Sequence, residues 1–420
     1  MRWWTALSYR KGRAADLRYS PPHEGEVSVA SRVATLTIIA VYIFSTPPKW
    51  STLYVSCALI VLALLAAHRA FWRSQGSRVY ALATLPWLLP VIGSAVLQNI
   101  QGLPTATPWS EQIILALRVL GVGFGFLLLL HKRYLTLRQL GLIVLACLLV
   151  NALIGIGQWL SQFHLGLAAW RSFRATGLAG NPNPYGFFMA LGLVLSSAWL
   201  LNYRQARSLR LALWISATIF LLGIVSSGSR GAIIIAVAGI AVLVPPNTWR
   251  RFGIYTALIT SLAIAYFVSD WHAADTLSDD LRIAALKFSL EAIAQRPLSG
   301  WGIESFPHIP GHTGVNAPHN MLADLALSGG VIALGAFLLS TAWVCHQLRC
   351  VNTPLANTLL ALLVSAFIAG TLEYSVLSSI HFRGPWLLII MLASHAIGNA
   401  GCGGDRGSAV AHPCRGVHAS

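Results

Sequence analysis

Apolar runs of 15 to 20 residues recur along almost the whole chain, separated by short polar stretches. A run of that length matches the roughly 20 residues with which an α-helix crosses the ~30 Å hydrocarbon core of a bilayer. A helix also satisfies its own backbone there, where no water can. The runs predict helices over 30–45, 51–67, 79–97, 112–130, 139–160, 184–201, 210–225, 230–244, 252–268, 320–344, 356–372 and 384–398. The first is the least apolar, crowded by Arg32 and the Thr46-Pro47-Pro48-Lys49 turn. The expected fold class is therefore an all-α polytopic integral membrane protein with about 12 transmembrane helices. The membrane domain takes in 30–398, between an N-terminal segment, 1–29, and a tail, 399–420. The Arg-rich first segment lacks the separate apolar region and small-residue site of a cleaved signal peptide, and none is expected.

Two polar interruptions are longer than a turn needs, 161–183 and 269–318. The second falls between the ninth and tenth predicted spans. Within it, Leu281 to Gln295 reads as a helix with Asp279 or Asp280 as N-cap. Arg296-Pro297 ends that helix, and Gly300-Trp301-Gly302 reads as a turn.

Composition agrees: 56% of residues are hydrophobic and 10% charged, against about 25% charged in a soluble domain. The net charge of +16 reads mainly as topology. With the N-terminus in the cytoplasm, 20 of the 29 Lys and Arg fall in cytoplasmic segments and 8 on the opposite side, with Arg118 inside a span. Both termini are then cytoplasmic and both long loops are periplasmic. The charge suits anionic lipid rather than nucleic acid, for which no basic soluble face is evident. None of the six cysteines lies in an outer loop, so no disulfide framework is expected. Cys402, His412 and Cys414 fit no zinc pattern.

The candidate chemistry lies on the outer side, where basic residues break the charge rule. Arg230 stands in Ser226-Ser227-Gly228-Ser229-Arg230-Gly231, a turn leading into a helix and an anion site in kind through its amides and the helix dipole. Arg171 and Arg174 precede Asn181-Pro182-Asn183-Pro184, in which Asn183 suits an N-cap and Pro184 the first helical position. The helices starting near Pro184, Arg230 and Pro318 all point their positive ends at the outer surface. His319 follows Pro318, is expected in the first helical turn, and is the side chain most easily poised as a base near neutral pH. Asn320 and Asp324 lie one turn apart beside it. Each residue has a structural alternative: a snorkelling or head-group arginine, Asn181 and Asn183 as caps, His319 as an interfacial histidine, Arg118 in an ion pair. His308, His312 and His319 could hold zinc on spacing alone, and Asp270, Asp275, Asp279 and Asp280 a divalent cation, but neither set has further support. No metal and no cofactor are expected. Trp170, Phe173 and Trp301 are the aromatics to test for sugar stacking.

Three segments together resemble the family of O-antigen ligases, O-antigen polymerases and protein O-oligosaccharyltransferases of bacterial envelopes. They are Arg174-Ala-Thr-Gly with Gly180-Asn-Pro-Asn-Pro-Tyr-Gly186, then Ser227-Gly-Ser-Arg-Gly231, then Arg296-Pro-Leu-Ser-Gly-Trp-Gly-Ile-Glu-Ser-Phe306 leading to Pro318-His-Asn-Met-Leu322. Leu327-Ser328-Gly329-Gly330 departs from the pattern, since an acidic residue usually precedes the glycine; this bears on packing more than on chemistry. The compact loop and short tail look most like the ligase branch.

That resemblance implies a GT-C-like glycosyltransferase of lipopolysaccharide biosynthesis in the bacterial inner membrane, active at the periplasmic face. The donor would be a glycan on undecaprenyl pyrophosphate and the acceptor a hydroxyl of the lipid A–core oligosaccharide. His319 would be the catalytic base. Arg174 and Arg230, and after them Arg118 and Arg171, would bind the pyrophosphate, supported by Asn181, Asn183, Asn320 and Asp324. The alternatives within the family are a polymerase or a protein O-oligosaccharyltransferase. The competing class is a transporter or flippase, against which stand the lack of repeat symmetry and the gathering of motifs on one face.

Overall fold

The computed structural model describes residues 69–102, 109–131, 136–161, 174–244, 253, 276–311, 317–377 and 379–402. Both chain ends, the expected spans at 30–45 and 51–67, and all but Gly253 of that at 252–268 lie outside them, as do Trp170, Arg171, Phe173 and His312. Among the described residues every regular element is a helix. The principal ones are α1 (Gln75–Ile100), α2 (Trp109–His131), α3 (Leu137–Ser161), α4 (Pro182–Asn202), α5 (Arg207–Ser227), α6 (Arg230–Leu243), α7 (Thr276–Gln295), α8 (Met321–Val351), α9 (Pro354–Leu372) and α10 (Ile380–Cys402).

Six of them, α1, α3, α4, α5, α8 and α9, are long and apolar enough to cross a membrane. Helix α6 is apolar but has only 14 residues, or about 21 Å at 1.5 Å per residue, short of the ~30 Å core. Its ends explain this. Gly228 in the left-handed conformation and Ser229 as N-cap start it. Val244 stands before Pro245, where helical backbone is disfavoured.

Helices α1, α2, α8 and α10 pack as one group and α3, α4, α5, α6 and α9 as another, joined where α9 meets α8 and α10. Small residues allow close crossings: the Cα of Gly192 on α4 lies under the Phe220 ring of α5. Arg383, counted among the outer basic residues, is buried in the first turn of α10. Its Nε donates to the Val376 carbonyl at 3.0 Å and its Nη2 to that of Leu377. It therefore holds the connection between α9 and α10.

Helix α7 begins at Thr276, so Asp279 and Asp280 lie inside it rather than capping it. Leu277 and Leu281, four apart, continue the helical repeat one turn upstream of the expected start. The single span expected over 320–344 is instead a 31-residue helix broken at Gly329 (φ −132°, ψ 16°) and Gly330 (φ 72°, ψ −176°). A broken helix leaves carbonyls and amides without their usual partners. The segment Pro297–Gly302 supplies them: Trp301 N–H donates to the Leu327 carbonyl at 2.5 Å, Gly302 N–H to that of Ser328 at 3.2 Å, and Val331 N–H to that of Pro297 at 2.8 Å. Gly300 (φ 67°) allows this approach, since a Cβ there would stand 2.5 Å from the Leu327 oxygen.

Trp301 is not a sugar platform. It is buried in a small core with Ala285, Ala292, Phe306, Ile309 and Leu327. Its Nε1 donates to the Ala292 carbonyl at 2.7 Å, and the Arg296 guanidinium covers its ring at 4.1 Å. The loop after α7 is thus strapped onto α8.

Candidate active site

The stretch Arg174–Gly180 has almost no regular structure, and two buried amides of α3 hold it. Gln158 Oε1 accepts from Thr176 N–H at 3.1 Å and Gly177 N–H at 2.8 Å, while its Nε2 donates to the Gly177 carbonyl at 3.2 Å. Asn151 Oδ1 accepts from Leu178 N–H at 2.8 Å. Ala175 N–H donates to the Ser226 carbonyl at 2.8 Å, tying the stretch to the end of α5. Sequence reasoning missed Asn151 and Gln158. Their signal was a pair of amides seven apart, two turns, on one face of an otherwise apolar helix.

This anchoring sets Arg174. Its Nε donates to the Ser227 carbonyl and its Nη2 to Asn183 Oδ1, both at 2.8 Å. Asn183 Nδ2 donates in turn to Glu373 Oε1. The same oxygen takes the Arg282 Nη2 at 3.1 Å. Arg174, Asn183, Glu373 and Arg282 therefore form one chain across the N-terminus of α4, the end of α9 and the loop helix α7. Here the expected cap is corrected: Asn181 is the N-cap of α4, accepting from Asn183 N–H at 2.9 Å, and Pro182 is the first helical residue. Either Asn-Pro pair satisfies the local rule. The first is used because the Asn183 side chain is engaged by Arg174 and Glu373.

The turn at Arg230 is less open than expected. Gly228 N–H donates to the Val225 carbonyl, Ser229 N–H to Ser227 Oγ and Ala232 N–H to Ser229 Oγ. These amides are committed within the turn. Arg230, half-buried, is the first residue of α6. Arg118 lies within α2.

His319 is not in the first helical turn. Helix α8 starts at Met321 with Asn320 as N-cap, whose Oδ1 accepts from Leu322 N–H at 2.9 Å and Ala323 N–H at 3.0 Å. Asn320 Nδ2 donates to the Thr371 carbonyl at 2.8 Å, fixing this end of α8 to α9. His319 itself has φ 49°, a left-handed conformation uncommon outside glycine and frequent at functional positions. Asp324, buried one turn into α8, accepts from the Ser375 hydroxyl.

These residues border a cavity of about 480 Å³ lined by Asn181, Pro184, Glu304, His308, His319, Asp324, Glu373, Tyr374 and neighbours. The N-termini of α4 and α8 meet here, while that of α6, the third expected on this face, contributes no lining residue. Its lining is otherwise different from expectation: three carboxylates and two imidazoles among the described residues, but no arginine. Arg174 and Arg282 stand one side chain back, both directed to the Glu373 network. Burial, and then the Arg282 charge, push the His319 pKa below the ordinary imidazole value. The ring is therefore kept neutral by its burial and by a cation from another element. Tyr374 is a lining residue the sequence did not flag; its buried hydroxyl has no hydrogen-bond partner among the described residues. Burial, and then Glu373, hold that phenol well above its usual range, protonated and able to donate. Arg282 and Glu373, 91 residues apart, were also unassigned, since neither sits in a motif.

No curated protein matches the chain. Residues 186–338 match the family model described as O-antigen ligase. The match runs from the first turns of α4, through the Arg230 turn and α7, past His319 and the break in α8. Over that stretch, somewhat more than a third of the chain and including the helices α4 and α8 that border the cavity, the sequence is similar to the O-antigen ligase family.

Proposed function

We propose that the protein transfers a glycan from undecaprenyl pyrophosphate to a sugar hydroxyl of the lipid A–core oligosaccharide, at the periplasmic face of the bacterial inner membrane. The observation that carries this reading is the cavity in which a half-buried, neutral His319 stands beside the Arg174–Asn183–Glu373–Arg282 chain. His319 takes the proton of the acceptor hydroxyl. The acceptor oxygen then attacks the anomeric carbon, and the bond from that carbon to the phosphate oxygen breaks with inversion. Arg174, one side chain back from the cavity lining, and Arg230 hold the departing pyrophosphate by charge-assisted hydrogen bonds, with Arg118 and Arg171 as further contacts. Asn181 and Asn320 fix the helix ends that aim at the cavity, Asn183 orients Arg174, and Asp324 orients the Ser375 turn. Tyr374 donates to an oxygen of the bound substrate. Developing charge is held by fixed cations and dipoles, a task that asks for no metal.

The test is transfer in vitro, with purified protein, lipid-linked glycan and core-bearing lipid A in EDTA. Glycan on lipid A–core is the expected product. Longer lipid-linked chains would make the protein a polymerase, and transfer only to a protein acceptor an O-oligosaccharyltransferase. Arg174→Ala and Arg230→Ala should each raise the donor KM roughly tenfold or more, since a charge-assisted hydrogen bond contributes ~1.5–3 kcal/mol. Unaltered donor kinetics in both would remove the phosphate role.

The pH profile gives a second check. A base works in its neutral form, and a depressed pKa keeps His319 neutral to lower pH. Transfer should therefore hold its rate as pH falls to about 6.5, the ordinary imidazole value, and decline only below it. Removing the neighbouring charge in Arg282→Ala should move that decline to higher pH. The same sign applies to stability: between the unfolded and folded pKa values the unfolded chain binds more protons, so this contribution is lost as pH falls through that window. An acid limb unmoved by Arg282→Ala would break the link between the two residues.

A further inference from the structure

Helix α7 has three faces. Ala285, Ser289 and Ala292 are buried, and Phe288 and Ile293 pack beside them on the Trp301 core. Ile283, Leu286 and Leu290, at spacings of three and four, form a second stripe that is apolar yet exposed, Leu290 to 59%. Asp280, Lys287 and Glu291 form a third stripe, exposed and charged. At 3.6 residues per turn the apolar stripe falls between the buried face and the charged one. A helix resting on its protein in water turns polar residues outward. The outward side of α7 is instead divided lengthwise, apolar along one half and charged along the other.

Exposed apolar surface continues from α7 onto α8. Leu298, in the strap that follows α7, is 65% exposed. The Pro297 carbonyl beside it accepts from Val331 N–H. Val331 and Ile332 are exposed, and Leu338 and Leu339 repeat that pair two turns along α8. The depth of this junction follows from length. Beyond its break α8 runs over 331–351, 21 residues, or about 31 Å against a hydrocarbon core of ~30 Å. Arg349, in the last turn, suits the head groups at the far end. Val331 therefore stands at one boundary of the hydrocarbon, and the strap and the end of α7 stand there with it. At its other end α7 is separated from the expected span over 252–268 by seven residues, 269–275.

We propose that α7 is an interfacial helix, with Ile283, Leu286 and Leu290 among the acyl chains nearest the head groups and Asp280, Lys287 and Glu291 toward water. Such helices sink ~5–10 Å into the boundary, and the charged stripe keeps this one from going deeper. The inference concerns the outward surface of α7 and stands apart from the transferase reading. Its consequence for the cavity is that the helix bringing Arg282 to Glu373 is seated in lipid.

The test footprints the wild-type protein in nanodiscs from both phases. A phospholipid carrying a diazirine near the head-group end of its acyl chain labels from the lipid. Hydroxyl radicals and a water-soluble acylating reagent label from the water. The expected result is carbene adducts on Ile283, Leu286 and Leu290, little oxidation of the same residues, and ready acylation of Lys287. Oxidation of the stripe without carbene adducts would overturn the proposal. Protection of the stripe from both phases would overturn it too, and would make a second copy of the chain or another protein the occupant. A double variant, Leu286→Asn with Leu290→Asn, should lose the adduct on Ile283 and keep the adduct on Leu339, which reports that α8 still spans the bilayer. An Ile283 adduct undiminished in that variant would mean that the stripe does not seat the helix.

Discussion

Replacing His319 with Asn should reduce glycan transfer by roughly 10²–10⁴-fold, the usual contribution of a general base, while leaving the protein folded. Asn is a better test than Ala here. His319 has φ 49°, and Asn is among the few side chains that adopt this region readily. The substitution then removes a proton acceptor without straining the link between the loop and the Asn320 cap. His319→Ala combines the chemical loss with backbone strain and should also lower the melting temperature. If His319 merely shaped the turn, Asn would restore activity that Ala loses. If it is the base, both are inactive, and only Ala is destabilised. Transfer by His319→Asn at near the wild-type rate, at saturating donor, would end the base assignment.

Six of the expected spans were legible because their apolar runs are long, and length separates a span from a core segment with little help from packing. Their ends were less so. At Asn181-Pro182-Asn183-Pro184 two start sites satisfy the same capping rule, and the choice is made by Arg174 and Glu373, one nine residues and the other 190 residues from Asn183. The basic outer residues were visible as exceptions to the charge rule, but not their partners. Arg282 was one loop cation among the outer basic residues until folding placed it on Glu373, a residue outside every motif. His319 stood out as an imidazole at the junction of loop and helix, yet the cause of its lowered pKa is tertiary: burial and a cation from another element. Trp301 shows the opposite error. An aromatic between two glycines in an outer loop reads as exposed, and the break in α8 that draws it into a core is a feature of the other strand of chain, 26 residues on at Leu327.

That break is where the largest loss of stability is expected, in Gly330→Ala. At φ 72° and ψ −176° Gly330 occupies a region open almost only to glycine. A Cβ there would lie 2.0 Å from the Leu298 carbonyl oxygen and 2.4 Å from its carbon, both backbone atoms. The collision cannot be relieved by turning a side chain; either α8 or the Pro297–Gly302 strap must move. Strain alone costs about 1–3 kcal/mol. Displacing the strap also releases three backbone hydrogen bonds, each contributing ~0.5–1.5 kcal/mol. Gly335→Ala on the same helix is the control, since a Cβ there meets nothing within 4 Å and should be neutral or slightly stabilising. Melting in detergent should separate the two by several degrees. The effect should reach the cavity as well, because the strap follows directly on α7, and α7 carries Arg282. A protein surviving Gly330→Ala should bind Glu373 less firmly through Arg282 and show its acid limb moved toward higher pH, as Arg282→Ala does. A Gly330→Ala protein that melts with the wild type would mean that the strap does not depend on the break, and that the glycine pair holds neither loop nor site in place.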